Sequence, residues 1–220
     1  MTDQKIATER IEEYLETLYH LLEGGQEISV SLVSQKLGIS PPSVFEMFQK
    51  LIEEGYLKSS GRGDYQLTEE GKAKGENIVR RHRLLERLLV DVLKMDWGIA
   101  HDEACRLEHG MSQEMEDSLA KTLGNPHTCP HGNPIPGECL EAKDEIPLLE
   151  LHPGEKGVII RIIEEEREFL RYLSSLGIIP GVKIEVGEIA PFGGTRLVSV
   201  GKSRYSISDE VARKIMVRKK

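Results

Sequence analysis

The chain has 220 residues, 39% of them hydrophobic and 30% charged, which is the composition of a globular protein with room for one large domain or about two to three small ones. No apolar run exceeds four residues and the start MTDQKIATER has no apolar core, so neither a membrane span nor a signal peptide is expected and a cytoplasmic location is. A net charge of -8 excludes indiscriminate nucleic-acid binding, whose affinity comes from Lys and Arg facing phosphates, so any DNA contact must be local and conditional.

Taken in chain order, residues 8–23 place Ile11, Tyr14, Leu15, Leu18, Tyr19 and Leu22 at helical spacing, with Thr8 as the N-cap. After Gly24 and Gly25, residues 29–37 give a short helix, Gly38 to Pro42 a turn, and Ser43 to Gly55 a second helix. YLKSSGRGDYQLT then alternates Tyr56, Leu57, Tyr65 and Leu67 around a Gly-rich tip, as a two-stranded wing does. Helix, turn, helix and wing together predict a winged helix-turn-helix over 1–75. Beyond it, Ile78, Val79, Leu84, Leu85, Leu88, Leu89, Val92 and Leu93 form a wide apolar surface on a helical block, which favours a symmetric homodimer. Residues 124–147 hold five prolines and three glycines and read as an irregular connector. From residue 147 the runs GVIIRII, VKIEVGEI, RLVSVG and RYSIS predict a small barrel with one helix near Glu166 to Leu176. The fold class is therefore mainly α with a small β domain, divided as 1–75, 76–142 and 147–220.

A recognition helix reads base edges from its first turn, and here Ser40, Pro42, Ser43 and Glu46 stand at that start. Serine bonds any base or a phosphate, Glu46 can accept from a cytosine amine, and the proline ring can touch a thymine methyl. Lys50, Lys58 and Arg62 are placed for phosphate contacts from helix and wing. Against this, residues 1–75 hold eight Lys and Arg but thirteen Asp and Glu, so free electrostatic attraction is poor.

The chemistry-bearing feature lies between Arg81 and His109. His82 and Glu86 stand four apart, and His101, Cys105, Glu108 and His109 follow inside HDEACRLEH. A helix turns by about 100° per residue, so the second group falls in an arc of about 100°, one stripe of thiol, carboxylate and imidazoles. Imidazole, thiolate and carboxylate together suit borderline first-row ions. The bland alternative is a charged face with ion pairs such as Glu86 to Arg83 or Arg87. Cys129 and His131 add a soft pair in the connector, where chance exposure or a Cys129–Cys139 disulfide is the alternative. Three cysteines, odd in number and irregularly spaced, argue against a secreted disulfide framework.

The succession of winged helix, RHRLLERLL, HDEACRLEHGMS, HGNPIPG and a C-terminal β-barrel resembles, along essentially the whole chain, the diphtheria toxin repressor family of metal-dependent transcriptional regulators. The resemblance implies a homodimer that binds double-stranded operator DNA through its first block. The second block would hold the metals and the dimer contact, and the third would be an SH3-like domain similar to FeoA. Such proteins repress metal-uptake genes when metal is replete. The resemblance also implies two ligand sets: a regulatory site of Glu13, Cys105, Glu108 and His109, and an ancillary site of His82, Glu86 and His101. The ancillary site is completed by C-terminal carboxylates, for which Glu165 and Glu168 match best and Glu166 is a neighbour, and Cys129 and His131 join it as in certain manganese-type relatives. Iron-type members carry Met and manganese-type members Asp at the position of Glu13, so this chain departs from both while keeping the Cys105 of the iron type. Oxygen at Glu13 favours Mn2+ and thiolate favours Fe2+ or Zn2+. The expectation is Fe2+, with Mn2+, Zn2+, Co2+ and Ni2+ as alternatives.

Two other classes remain at this point. A metallohydrolase needs an open coordination position and a base, and no HExxH motif is present, so the expectation is that the chain is not an enzyme. A metal-independent winged-helix regulator with structural zinc would bind DNA regardless of chelator.

Overall fold

The computed structural model describes residues 3–61, 63–137, 144–191 and 194–220. Arg62 and Cys139 lie outside the described residues. The chain forms two compact units, one of Met1–Arg81 with Glu108–Gly110 and one of His82–Leu107 with Met111–Lys220.

In the first unit, α1 (Asp3–Glu23) turns Tyr14, Leu15, Leu18 and Leu21 inward at the predicted spacing. It begins earlier than expected, so Thr8 sits inside the helix and does not cap it. Ser29 caps α2 (Val30–Leu37) by accepting from the Leu32 amide, and Gly38 ends it at φ 65°, a left-handed conformation that glycine adopts without strain. The next helix, α3 (Pro41–Glu53), starts two residues before the predicted Ser43, because Ser40 is the N-cap and both prolines occupy the first turn, whose amides need no partner. Val44, Phe48 and Leu51 of α3 pack with α1, and Tyr65 meets Phe48 edge-on at 4.7 Å between ring centroids. The wing is an antiparallel hairpin of β1 (Leu57–Gly61) and β2 (Asp64–Leu67), with Leu57 opposite Leu67. Thr68 closes it, donating to the Gly55 carbonyl at 2.7 Å and accepting from the Gly71 amide at 3.0 Å. That places it as the cap of α4 (Glu69–Arg87).

The second unit takes the last turns of α4, a π-helical turn over Leu88–Val92, α5 (Trp97–Leu107) and α6 (Gln113–Thr122). Leu84, Leu85, Leu89, Ala100, Ala104 and Leu119 make its helical core. The same unit holds a six-stranded antiparallel sheet in the order β3-β8-β4-β5-β6-β7. Its strands are β3 (Glu145–Pro147), β4 (Lys156–Ile162), β5 (Lys183–Ile189), β6 (Arg196–Val200), β7 (Ser203–Ile207) and β8 (Ile215–Lys219). Two short helices, α7 (Arg167–Ser175) and α8 (Asp209–Arg213), flank it. Bulges in β4 and β5 bend the strands around a core of Ile159, Ile162, Leu170, Leu173, Val186, Val198 and Val217. The architecture is thus mainly helical with a small antiparallel sheet domain at the C-terminus.

Two features fix the helices and the sheet domain relative to each other. At Gly98 of α5 a Cβ would come within 2.8 Å of the Arg167 carbonyl, so glycine alone permits the close approach of α5 to α7, which an Asp102–Arg167 ion pair at 2.7 Å accompanies. The connector is pinned from both sides. Arg83 and Arg87 donate to the carbonyls of Pro134 and Thr128, while the Ile162 amide donates to His131 O at 2.8 Å.

Candidate metal centre

His82 and Glu86 lie one turn apart on the buried face of α4, and His101 and Cys105 one turn apart on α5. His82 Nε2 and His101 Nδ1 lie 3.0 and 3.1 Å from Glu86 Oε1, and 3.1 Å from each other. On the far side of the two rings, Cys105 Sγ lies 3.9 Å from His82 Nδ1 and 3.9 Å from His101 Nε2. The two imidazoles are therefore held between a carboxylate and a thiol.

The connector supplies a second set. A tight loop, closed by the Gly132 amide donating to Cys129 O at 2.9 Å, brings Cys129 and His131 together, with Sγ and Nδ1 3.8 Å apart. Gly132 has φ 88° and a Cβ there would meet the Ile160 carbonyl at 2.1 Å, so no other residue fits this loop against β4. Glu165, from the turn between β4 and α7, points its Oε1 to 3.9 Å from His131 Nδ1 and 4.0 Å from Cys129 Sγ. Asn133 holds that carboxylate from behind, donating to Oε1 at 2.7 Å and to Ile162 O at 2.8 Å. The other oxygen of Glu86, Oε2, lies 3.3 Å from His131 Nδ1.

Charge follows geometry. Burial works against ionising Glu86, but His131, His82 and His101 outweigh it and hold its carboxyl well below the usual range. Burial likewise opposes charge on His101, yet Cys105 and Glu86 raise it to about 10, and Glu86 and Cys129 do the same for His131, also to about 10. Burial pushes the Cys129 thiol up, with Glu86 adding to it. Cys105 goes the other way, since His101 and His82 overcome its burial.

A third cluster belongs to the first unit. The α5 helix ends at Leu107 and a 3-10 turn carries Glu108 and His109, so the HDEACRLEH stripe does not continue as one helix face. His109 Nδ1 lies 2.9 Å from Glu12 Oε2 on α1, and its Nε2 lies 3.6 Å from Glu108 Oε1. The Glu12 bond raises the His109 pKa, burial opposes it, and Glu108 and Glu16 add to the rise.

The expected ligands are therefore distributed as follows. His82, Glu86 and His101 come together, joined by Cys105. Cys129, His131 and Glu165 come together on the other side of Glu86. Glu108 and His109 come together with Glu12, while Glu13 is exposed. Glu168 is exposed and faces Arg171 at 3.8 Å, and Glu166 spends its carboxylate capping α7 through the Glu168 and Phe169 amides. Sequence reasoning missed Glu12 and Asn133. Spacing did not single out Glu12, since Glu9 and Glu13 stand i, i+4 just as Glu12 and Glu16 do, and Asn133 acts through a fold of the connector that no periodicity encodes.

On α3, Pro41, Pro42, Phe45, Glu46 and Gln49 are exposed, opposite the buried Val44, Phe48 and Leu51. The Ser40 and Ser43 hydroxyls lie 2.9 Å apart at the N-terminus of the helix. Lys50 faces Glu54 at 3.8 Å, and Lys58 is exposed on the wing. Among the described residues no helix is long and apolar enough to cross a membrane.

A winged helix joined to a helical module with buried imidazole, thiolate and carboxylate donors defines the class of metal-responsive DNA-binding regulators. The comparisons agree along the chain. Residues 7–64 match the iron dependent repressor N-terminal DNA binding domain, residues 68–137 the iron dependent repressor metal binding and dimerisation domain, and residues 146–219 the FeoA domain. The chain belongs to the iron-dependent repressor family, the family of the diphtheria toxin repressor, whose members are transcriptional repressors and not enzymes. It is 34% identical to the iron-dependent repressor IdeR of Mycobacterium tuberculosis over 94% of this chain and 96% of that one. To the diphtheria toxin repressor of Corynebacterium glutamicum it is 30% identical, over 94% and 95%. Among solved structures, a manganese-dependent transcriptional repressor in complex with manganese superposes with a TM-score of 0.86 at 29% identity, over 96% of this chain and all of that one (100%). ScaR with bound zinc gives 0.80 at 31%, over 96% and 99%.

Proposed function

We propose that this chain is a divalent-metal-dependent repressor of metal uptake and homeostasis genes, acting in the cytoplasm as a homodimer on operator DNA, with Fe2+ as its metal. The observation that carries the reading is Glu86, a carboxylate buried between two sets of imidazole and thiolate donors, in the part of the chain matched to a metal-binding domain. These donors fit a borderline divalent ion, and the buried Glu86 Oε2 and His131 Nε2 have no hydrogen-bond partner. When bound, a divalent cation supplies the positive charge that lets several carboxylates share one site. The regulatory role goes to Glu108 and His109 with α1, where Glu12, in place of the Glu13 that the resemblance implies, reaches the imidazole. His109 is bonded to Glu12 of α1 within the first unit, and the chain enters and leaves the Glu108–Gly110 turn through Leu107 and Met111 of the second unit. The ancillary role goes to His82, Glu86, His101, Cys129, His131 and Glu165. A three-part division at 1–75, 76–142 and 147–220 accompanies this reading.

The cluster at His109 consists of oxygen and imidazole donors, with Cys105 turned to His82 and His101, and this favours Mn2+ as a second reading of the metal. Anaerobic titration of Fe2+, Mn2+ and Zn2+ against duplexes selected from a random library, with EDTA reversal, tests both. Metal-dependent binding that Glu12→Ala weakens at least about tenfold, and Glu13→Ala less, is the expected result, since a coupling of about 1–3 kcal/mol is typical between linked sites. Binding indifferent to EDTA overturns the reading.

A further inference from the structure

Glu86 belongs to both donor sets of the second unit, one oxygen to each. Around Oε1, the oxygen and the two imidazole nitrogens form a triangle with edges of 3.0, 3.1 and 3.1 Å. An ion about 2.1 Å from each donor holds adjacent donors roughly 3 Å apart, so this triangle is already the size of one face of a coordination shell. Around Oε2, His131 Nδ1 is 3.3 Å away, and Cys129 Sγ, His131 Nδ1 and Glu165 Oε1 are separated by 3.8, 3.9 and 4.0 Å. Those wider edges suit a tetrahedral site in which sulfur stands about 2.3 Å from the ion. Neither set borrows a donor from the other except Glu86, whose side chain is fully buried and whose Oε2 accepts no hydrogen bond.

Resting on the metal-sensing reading, we propose that Glu86 is a bridging carboxylate that holds two divalent cations at once, Oε1 with His82 and His101, Oε2 with Cys129, His131 and Glu165. The two pockets differ in charge. The pocket at Cys129 has a thiolate and two carboxylates among its donors, so one dication leaves it net negative, whereas the donors gathered at Oε1 are the shared carboxylate and two imidazoles, with the Cys105 thiol on the far side of both rings. The Cys129 pocket therefore fills first. The second ion enters against the charge of the first and binds more weakly. Cys105, behind both rings, orients the imidazoles toward Glu86 and is not one of the three donors at Oε1.

The test uses the full chain with His109→Ala, which takes the first unit's cluster out of the count, titrated anaerobically with Mn2+ and Co2+ alone. Two ions per chain are expected. Mn2+ should give an isolated-ion electron paramagnetic resonance spectrum at one equivalent and an exchange-coupled spectrum at two. The first Co2+ should bring a thiolate-to-cobalt absorption that Cys129→Ser removes and Cys105→Ser keeps. His101→Ala should keep that band and lose the second ion, and Glu86→Gln should weaken the second ion by more than about tenfold. Circular dichroism checks that each variant is folded, and His101→Gln repeats the test should the alanine variant not fold. Two magnetically isolated Mn2+ ions, or one ion per chain with the wild type still answering to metal on DNA, overturns the bridge alone. No uptake by the wild type overturns the sensing reading together with it.

Discussion

His101 and His131 hold protons in the metal-free protein well above the ordinary histidine range, at about 10 each, because Glu86 and a neighbouring thiol outweigh their burial. The sign of the consequence is fixed by linkage. A folded pKa raised above the unfolded value of about 6.5 contributes stability that is complete below pH 6.5 and is lost as pH climbs through about 10. Glu86, whose pKa is depressed, contributes stability present above its ordinary range and lost only as pH falls through its lower folded value. Melting of the metal-free protein should therefore move to lower temperature between pH 7 and pH 10. Metal ligation needs these imidazoles neutral, so metal affinity should rise over the same interval, with protons released on binding. Calorimetric titration in buffers of different ionisation enthalpy counts those protons. A metal-free melting temperature that stays flat from pH 7 to 10 removes the charged-imidazole arrangement.

At the scale of elements, α3 has its apolar side filled by Val44, Phe48 and Leu51, and what it presents outward is unusual for a helix meant for water. Phe45 is 49% exposed one turn after Pro41 and Pro42, beside Glu46 and Gln49. On a helix that enters the major groove, an apolar ring at that position contacts the C5-methyl of thymine, and Gln49 has the donor and acceptor pair that adenine requires. Replacing one thymine of a selected duplex by deoxyuridine removes the methyl and nothing else. The wild type should lose up to about 1–3 kcal/mol of binding at the read position, the range for one base contact, and Phe45→Ala should not respond to the change. An equal loss in both proteins assigns the methyl to Pro42 instead. Phe45 was not legible in the sequence, where an aromatic in an amphipathic stretch reads as core until the helix start is known. Placing that start at Pro41 in place of Ser43 is what the Ser40 cap decides. Much of the rest was legible, because apolar residues at 3.6 and alternating spacing pointed to α1 to α3, the wing and strands β4 to β7. The strand β8 was not read, and β3 (Glu145–Pro147) lies inside the stretch expected to be an irregular connector, since it is made by pairing with β8 and not by any pattern of its own. The metal donors were legible as residue types and misleading as a stripe: the helix yields to a 3-10 turn at Glu108, and two neighbours in sequence, Leu107 and Glu108, go to different units. Glu12 and Glu13 differ by a rotation of about 100° on α1, which only packing resolves.

For the whole molecule, the question is how a chain with a net charge of -8 holds a polyanion. A homodimer answers it by doubling the recognition helices, since two linked weak half-site contacts act together where one would not suffice. The second unit keeps apolar side chains in water that a monomer gains nothing by exposing: Val92 is 56% exposed, Leu93 58% and Met115 53%, with Leu107 at 48%. Val92 and Leu93 close the π-helical turn after α4, a backbone irregularity that tips both outward from a run whose earlier members, Leu84, Leu85 and Leu89, are buried. Removing them from water across a twofold contact contributes roughly 1–2 kcal/mol for each side chain. Leu93→Glu places like charges opposite each other at such a contact, and sedimentation at micromolar concentration should find a monomer. The variant should keep its wild-type circular dichroism, because position 93 takes no part in the core, and it should take up metal in each chain as before. Its affinity for a two-half-site duplex should then fall by at least about tenfold, to that of a single half-site. A Leu93→Glu protein that remains dimeric and binds such a duplex normally would place the twofold contact elsewhere on the chain.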